Sequence, residues 1–127
     1  MTKLPALNKR TAPKSVMPEK IVQFGEGNFL RAFVDWIVWN MDAKTNFNGS
    51  VVVVQPIDKG MVSWLNGQDC LYHVNLQGRL NGEAVNQLDR IDVISRAIDP
   101  YSQHYAYQAL AEQPEIRFVI SNTTEAG

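Results

Sequence analysis

The fold of this chain is decided by residues 21–31, which read IVQFGEGNFLR. The first four are β-formers and Gly25 ends the run, so the sequence predicts a short strand over 21–24. From Phe29 onward apolar residues recur every three or four positions, which predicts a helix of about four turns with Asn28 as its N-cap. We expect its apolar stripe to face the core. The stripe comprises Phe29 or Leu30, Phe33, Ile37 and Met41.

The glycines of this stretch lie between a strand and a helix, where a dinucleotide-binding turn requires them. Gly25 would permit the tight turn, and Gly27 would let backbone approach a pyrophosphate at the positive end of the helix. Leu30 occupies the third glycine position of the G-x-G-x-x-G pattern, which implies a less intimate contact between helix and strand. Arg31 is either a neighbour of the phosphate or a solvated helix residue. A plain turn without ligand is the alternative for the whole motif.

Two further apolar runs predict parallel strands. Residues 51–54 are four valines, an unalternating β-branched run typical of a strand buried on both faces. Residues 117–121 read as another buried strand, which gives a core of three parallel strands. Short helices are predicted over residues 58–66 and from the N-cap Asp99 to about Glu112.

A hairpin interrupts this alternation of strands and helices. Residues 71–77 alternate between apolar and polar side chains, Asn81-Gly82 is a strong turn signal, and residues 84–95 supply the returning strand. The predicted fold class is therefore α/β: an incomplete Rossmann-like parallel sheet with an inserted antiparallel β-hairpin.

Composition limits the function classes. The chain has 127 residues, 45% of them hydrophobic, and a formal charge of −1, which suits one domain and disfavours a basic nucleic-acid binder. We find neither an apolar run of about 18–20 residues nor an apolar signal segment, so we predict a cytoplasmic protein without a membrane partner. The single cysteine, Cys70, and the absence of His-x-x-x-His or Cys-x-x-Cys spacing predict no metal site.

The chain divides into two parts. Residues 1–20 contain three of the six prolines and no sustained period, so we predict an extended leader. Residues 21–127 form the predicted nucleotide-binding domain, which we interpret as incomplete because a core of three parallel strands is thin.

Asp58 is the candidate ligand for the ribose hydroxyls, since it follows the second strand. It lies further from the glycines than the usual spacing of about 20 residues. An N-cap of the following helix is an equally good interpretation. A carboxylate on the ribose would repel a 2′-phosphate and favour NAD over NADP.

Five blocks of sequence closely resemble, in order, the mannitol dehydrogenase family of polyol-specific long-chain dehydrogenases. Together they cover essentially all of residues 21–127, which makes the resemblance far more specific than one glycine motif. The blocks are residues 22–33, residues 51–56, Gln68-Asp69 with Leu71-Tyr72, Ser95-Arg96, and residues 121–127.

The resemblance implies an NAD-dependent oxidoreductase that interconverts D-altronate and D-tagaturonate in hexuronate breakdown. D-mannonate or D-mannitol are alternative substrates within the family, and a stand-alone nucleotide-binding or interaction module is the alternative outside the enzymes. The cofactor residues it implies are Gly25, Glu26, Gly27, Asn28, Phe29, Leu30, Arg31, Asp58, Asn122 and Thr123.

The same resemblance implies where catalysis takes place. Glu125 would lie near the substrate. The family's catalytic lysine, with its asparagine and histidine companions, lies in a helical C-terminal domain that is absent from these residues. We therefore nominate no catalytic residue, and we expect this chain to be the NAD-binding portion of a larger enzyme, inert without that partner domain.

Overall fold

The computed structural model describes residues 4–122, and these residues contain six strands and three α-helices. In chain order the strands are β1 (Glu19–Phe24), β2 (Ser50–Val54), β3 (Tyr72–Leu80), β4 (Glu83–Ile91), β5 (Ile94–Ile98) and β6 (Phe118–Ser121). The helices are α1 (Asp35–Lys44), α2 (Val62–Gly67) and α3 (His104–Ala109); a π-helical turn (Leu30–Val34) precedes α1 and a 3₁₀ turn (Leu110–Glu112) follows α3.

Four of the strands form one parallel sheet in the order β5-β2-β1-β6. The valines of β2 are buried on both faces, as their unbroken run predicts. Helices α1 and α2 and the base of the hairpin pack on one face, around Val51 and Val53. Helix α3 packs on the other, around Val52 and Val54. The parallel sheet of the predicted fold class is confirmed.

Within the described residues, strands β3 and β4 pair with each other and with no other strand, and they form the predicted hairpin. Asn81 and Gly82 both have positive φ, 54° and 82°, as a tight two-residue hairpin turn requires. The returning strand was predicted to run to residue 95, but it is shorter. It ends at Ile91, and residues 94–98 form a separate strand, β5, that pairs with β2. The Val51 N–H already donates to the Val93 carbonyl (2.9 Å), so the chain reaches β2 just before β5 begins. The parallel core therefore has four strands within residues 4–122 instead of three.

The helix after β1 buries a different face from the predicted one. Phe29 and Phe33 are 56% and 53% exposed, and Ile37 is also exposed. Leu30, the alternative to Phe29 at the start of the predicted stripe, is buried, but the prediction is wrong for Phe33 and Ile37. The buried row instead includes two polar residues that the hydrophobic pattern could not assign to the interior. The buried residues are Leu30, Arg31, Asp35 and Val38.

Several element boundaries also differ from the predictions. The second helix begins at Val62, not at residue 58, and the third begins at His104 because Asp99 caps a turn instead, accepting a hydrogen bond from the Tyr101 N–H (3.0 Å). Strand β6 is not a buried strand. It lies at the edge of the described sheet, with Val119 68% exposed.

The segment before β1 packs on the protein near the start of the strands. The Ser15 N–H donates to Asp92 (3.0 Å), and the Lys14 ammonium donates to the Asp69 carbonyl (2.6 Å). Strand β1 begins two residues inside the predicted leader, at Glu19. No helix within residues 4–122 combines the length and hydrophobicity that a membrane crossing needs.

Candidate functional site

The carboxyl ends of the four parallel strands lie in one row. The register pairs Phe24 with Val54 on one side and with Ser121 on the other, and Val54 with Ile98. The chain passes outward from β1 through β2 to β5 and then returns to the opposite side of β1 as β6. This reversal creates a topological switch point beside β1, and open α/β sheets bind ligands outside the carboxyl ends of the strands at such a point.

Gly25 begins the loop at this switch point and needs to be glycine. Its φ is +128°, and an added Cβ would lie 2.8 Å from Leu30 Cδ1. Leu30 is buried beneath the loop, so its bulk fills the space that a third motif glycine would leave. The Gly25 N–H donates to the Val54 carbonyl (3.0 Å), which fixes the loop to β2.

The two carbonyls at the start of the loop are both held by side chains of the protein. Gln23 Nε2 donates to the Gly25 carbonyl (3.1 Å), and Arg31 Nε donates to the Glu26 carbonyl (2.8 Å). Within residues 4–122 the N–H groups of Gly27 and Asn28 donate to no protein group. Nothing lies within 4 Å of an added Gly27 Cβ, so this part of the loop is open.

Asn28 is not the N-cap that the sequence predicted. The helical conformation already includes Asn28, and its side-chain oxygen accepts a hydrogen bond from Arg31 Nη2 (2.7 Å) instead of from the backbone. Phe29 is exposed and stacks on Phe33, with ring centroids 5.3 Å apart.

Arg31 is not a solvated helix residue, since it is only 8% exposed. Its guanidinium lies over the rings of Trp64 (5.4 Å) and Tyr72 (5.5 Å), an arrangement that stabilises a buried cation. The Tyr72 hydroxyl donates to the Arg31 carbonyl (2.7 Å), which ties β3 to the first helical turn.

Glu26 joins the glycine loop to the loop after β2. Its side chain is buried, and burial raises the pKa of its carboxyl group against the lowering effects of the Met61 N–H and Arg31. An added Cβ on Gly60 would lie 2.6 Å from Glu26 Oε1 and 2.5 Å from Gln55 Oε1. A larger residue at position 60 would therefore have to displace the ends of the Glu26 and Gln55 side chains.

Asp58 lies exposed in this second loop, at the carboxyl edge of the sheet. Its N-cap interpretation is wrong, because α2 begins at Val62 without a side-chain cap. An open pocket of about 390 Å³ adjoins the loop, and the Tyr101 hydroxyl donates to the Pro56 carbonyl across it (3.1 Å). The pocket is lined by Phe24, Val54, Gln55, Pro56, Pro100, Tyr101, His104 and Tyr107.

Behind the loop lies a buried polar pair. Gln23 donates to Asp35 Oδ2 (3.1 Å), and neither residue has any exposed surface. Burial raises the pKa of Asp35 to about 7, although the Gln23 hydrogen bond and the charge of Arg31 oppose the shift. Asp35 Oδ1 has no hydrogen-bond partner among the described residues, so the Gln23 hydrogen bond is the one polar contact that replaces water around this carboxyl group.

The remaining predicted residues are placed as follows. Asn122 is exposed directly after β6, whereas Thr123 and Glu125 lie outside the described residues. Cys70 is a buried core residue, and its burial raises the pKa of the thiol to about 11. Residues 4–122 contain no cluster of three or more potential metal ligands.

Sequence reasoning missed Gln23, Asp35, Gly60 and Tyr72. A polar residue within an apolar strand was the available signal for Gln23, since a buried amide needs a partner. Gly60 and Tyr72 gave no local signal, because their contacts lie 34 and 41 positions away in sequence.

The fold and this loop define the class: a Rossmann-type nucleotide-binding domain, with its glycine loop at the switch point of a parallel sheet. The chain belongs to the mannitol dehydrogenase Rossmann domain family, whose model matches residues 19–127. The resemblance found in the sequence and the Rossmann-like fold class are both confirmed.

Two relatives that match most of this chain are both altronate oxidoreductases. The chain is 72% identical over 122 residues to the altronate oxidoreductase of Phocaeicola vulgatus, covering 96% of this chain and 26% of that protein. It is 56% identical over 110 residues to the altronate oxidoreductase of Bacillus subtilis, covering 87% of this chain and 23% of that protein. The chain thus spans about a quarter of the length of these relatives.

A solved structure agrees in fold. Mannitol 2-dehydrogenase of Pseudomonas fluorescens, in ternary complex with NAD and D-mannitol, superposes with a TM-score of 0.79 at 24% identity, covering 97% of this chain and 27% of that one.

Proposed function

We propose that this chain is the NAD-binding portion of a larger cytoplasmic oxidoreductase that interconverts D-altronate and D-tagaturonate by hydride transfer. The observation that carries the proposal is the glycine loop at the switch point, with Gly27 open and the carbonyls of Gly25 and Glu26 held by protein side chains. The choice of sugar acid is supported by the relatives at 72% and 56% identity, which are altronate oxidoreductases.

The residues present fit a dinucleotide. The free N–H groups of Gly27 and Asn28 suit a diphosphate, which needs donors and close backbone approach. The side chains of Glu26, Leu30 and Arg31 are buried, so these residues would contact the cofactor through their backbone alone, whereas Phe29 offers an exposed ring. Asp58 would accept hydrogen bonds from the ribose hydroxyls.

The other end of the dinucleotide would lie on the far side of β1. Asn122 and Thr123 follow β6 and would bind near the nicotinamide, with Glu125 near the substrate. When bound, NAD supplies the hydride acceptor and donor. This chain would orient the dinucleotide, and general acid–base chemistry would come from residues outside it.

The proposed organisation is a leader that ends where β1 begins, at Glu19, and a partial Rossmann domain from there to residue 127. The chain alone would bind the dinucleotide without turning over substrate. Measurable NADH-dependent reduction of D-tagaturonate by the 127-residue chain would contradict the proposal that this chain alone does not catalyse the reaction. In the protein that carries these residues, faster turnover of D-mannonate or D-mannitol than of D-altronate would contradict the proposed substrate.

A glycine substitution separates binding from folding. Gly27→Ala introduces a methyl group into open space, so the melting temperature should stay that of the wild type. The methyl group would obstruct the diphosphate, and we expect NADH affinity in a calorimetric titration to fall at least about tenfold. Gly67→Ala is the matched control, since its Cβ also meets nothing within 4 Å. Unchanged affinity in Gly27→Ala, or no NADH binding by the wild type, would overturn the proposal.

The Asp58 assignment has its own test. The wild type should bind NADH more tightly than NADPH, and Asp58→Asn should reduce this preference by removing the repulsion of a 2′-phosphate. Glu115→Gln removes an exposed carboxylate before β6, at the opposite edge of the sheet, and should leave the preference unchanged. Tighter binding of NADPH by the wild type would reject the role of Asp58.

A further inference from the structure

The buried guanidinium of Arg31 makes its contacts inside the protein. Nε donates to the Glu26 carbonyl (2.8 Å) and Nη2 donates to Asn28 Oδ1 (2.7 Å). Among the described residues no carboxylate lies within ion-pair distance of it. The charge is stabilised by the rings of Trp64 and Tyr72, whose centroids lie 5.4 and 5.5 Å away.

These contacts gather three separate parts of the chain around the glycine loop. Trp64 belongs to α2, Tyr72 begins β3, and Arg31 lies in the π-helical turn. The Tyr72 hydroxyl adds a hydrogen bond to the Arg31 carbonyl (2.7 Å). The inserted hairpin and α2 thereby hold the Arg31 side chain in place, and Arg31 in turn holds the glycine loop.

We propose that Arg31 is a positioning residue for the diphosphate site, and that Trp64 and Tyr72 hold it in place. By donating to the Glu26 carbonyl and to the side-chain oxygen of Asn28, Arg31 holds both ends of the short segment that carries the free N–H groups of Gly27 and Asn28. The loop is then preorganised for an anion before the anion arrives, which lowers the ordering cost of binding. The inference rests on the proposed dinucleotide function.

Direct binding of a phosphate by Arg31 is the competing role, and lysine distinguishes the two. A lysine ammonium carries the charge that a phosphate needs, but it lacks the planar fork that donates to two groups while stacking on aromatic faces. Positioning therefore predicts that Arg31→Lys loses nearly as much affinity as Arg31→Met. A direct contact predicts that Arg31→Lys retains most of it.

The experiment is a titration of the protein carrying these residues with NADH, ADP and adenosine. We expect Arg31→Met and Arg31→Lys each to weaken NADH and ADP binding at least about tenfold, with little change for adenosine, which has no diphosphate. In steady-state kinetics KM for NADH should rise while kcat changes little, because a uniform binding contribution is lost. A general folding defect would instead lower the affinity for NADH, ADP and adenosine together.

If the Arg31 variants do not fold, the variant Trp64→Leu tests the same inference. Trp64 is half exposed, so its removal is tolerable, and no direct phosphate contact runs through it. We expect weaker NADH and ADP binding in Trp64→Leu, recovery of affinity in Trp64→Phe, and no effect of Tyr105→Leu, a control at an exposed aromatic residue of α3. Wild-type ADP affinity in Trp64→Leu, or retention of affinity in Arg31→Lys, would overturn the inference. Absence of NADH binding in the wild type would instead refute the proposed function.

Discussion

Asp35 shows how a single side chain links the site to the stability of the fold. Its carboxyl group lies under the glycine loop with no exposed surface and receives one hydrogen bond, from Gln23. Gln23 in turn donates to the Gly25 carbonyl, so the protonation state of Asp35 acts on the residues that shape the loop. Burial raises the pKa of Asp35 from 3.8 to about 7, because removal from water penalises the charged form.

The sign of the resulting pH dependence is fixed by this shift. Between pH 4 and 7 the folded state retains the Asp35 proton that the unfolded state has lost, so the free energy of unfolding falls as pH rises through this window and levels off above it. The contribution is on the order of a few kcal/mol. Asp35→Asn keeps the shape of the side chain but does not titrate, so its urea-unfolding free energy should lack this decline between pH 4 and 7.

Asp58→Asn is the control for that experiment, since Asp58 is exposed and its variant should follow the wild-type pH curve. If the Asp35→Asn curve also parallels the wild type, Asp35 does not carry the proton at neutral pH.

Among individual residues, the sequence identified those of the glycine loop but not the side chains that hold this loop in place. Gly25, Gly27 and Arg31 were recognisable because a local motif specifies them. The burial of Arg31 was not predictable, since its partners Trp64 and Tyr72 are distant in sequence and become neighbours only when the hairpin folds back.

The secondary-structure elements were predictable where local chemistry decides them. The valine run of β2 and the Asn81-Gly82 turn both appear in the structure. The buried face of the helical segment after β1 was not predictable. The exposed stripe with Phe29 and Phe33 has the period of a core face, and the true buried row contains Arg31 and Asp35, whose costs are offset by partners on other elements.

The hairpin offers a matched pair of glycines for a test at this scale. Gly82 has φ +82° and Gly78 does not have a positive φ, yet an added Cβ meets nothing within 4 Å at either position. Gly82→Ala should therefore destabilise the turn by about 1 kcal/mol through backbone strain alone. Gly78→Ala should be neutral or slightly stabilising, because alanine loses less backbone entropy in a strand.

Hydrogen exchange of the Leu80 and Glu83 amides, which pair next to the turn, measures the effect. We expect exchange about fivefold faster in Gly82→Ala and unchanged or slower in Gly78→Ala. Equal effects of the two substitutions would show that strain at Gly82 does not govern the hairpin.

The strands of the parallel sheet are buried to very different extents. Strand β2 is covered on both faces, whereas β6 lies at an edge with Phe118 50% and Val119 68% exposed. The stripe of Phe29 and Phe33 is also uncovered. The sequence predicted a parallel sheet with an inserted hairpin, but not which surfaces stay open, because exposure depends on what packs against each element.

An edge strand with exposed apolar side chains is a template for pairing with another chain. We therefore expect the isolated 127-residue chain to associate in a concentration-dependent manner in sedimentation velocity. Val119→Lys should shift this equilibrium toward monomer, because a lysine on an edge strand opposes strand-to-strand pairing.

Ile57→Lys is the matched control, since it adds the same charge at a residue of similar exposure, 60%, that lies in a loop instead of a strand. If association comes from β6, only Val119→Lys reduces it, because Ile57 has no free strand edge to block. Equal reductions in the two variants would attribute association to net charge, and a wild type that stays monomeric at every concentration would show that the open edge of β6 is too short to recruit a second chain.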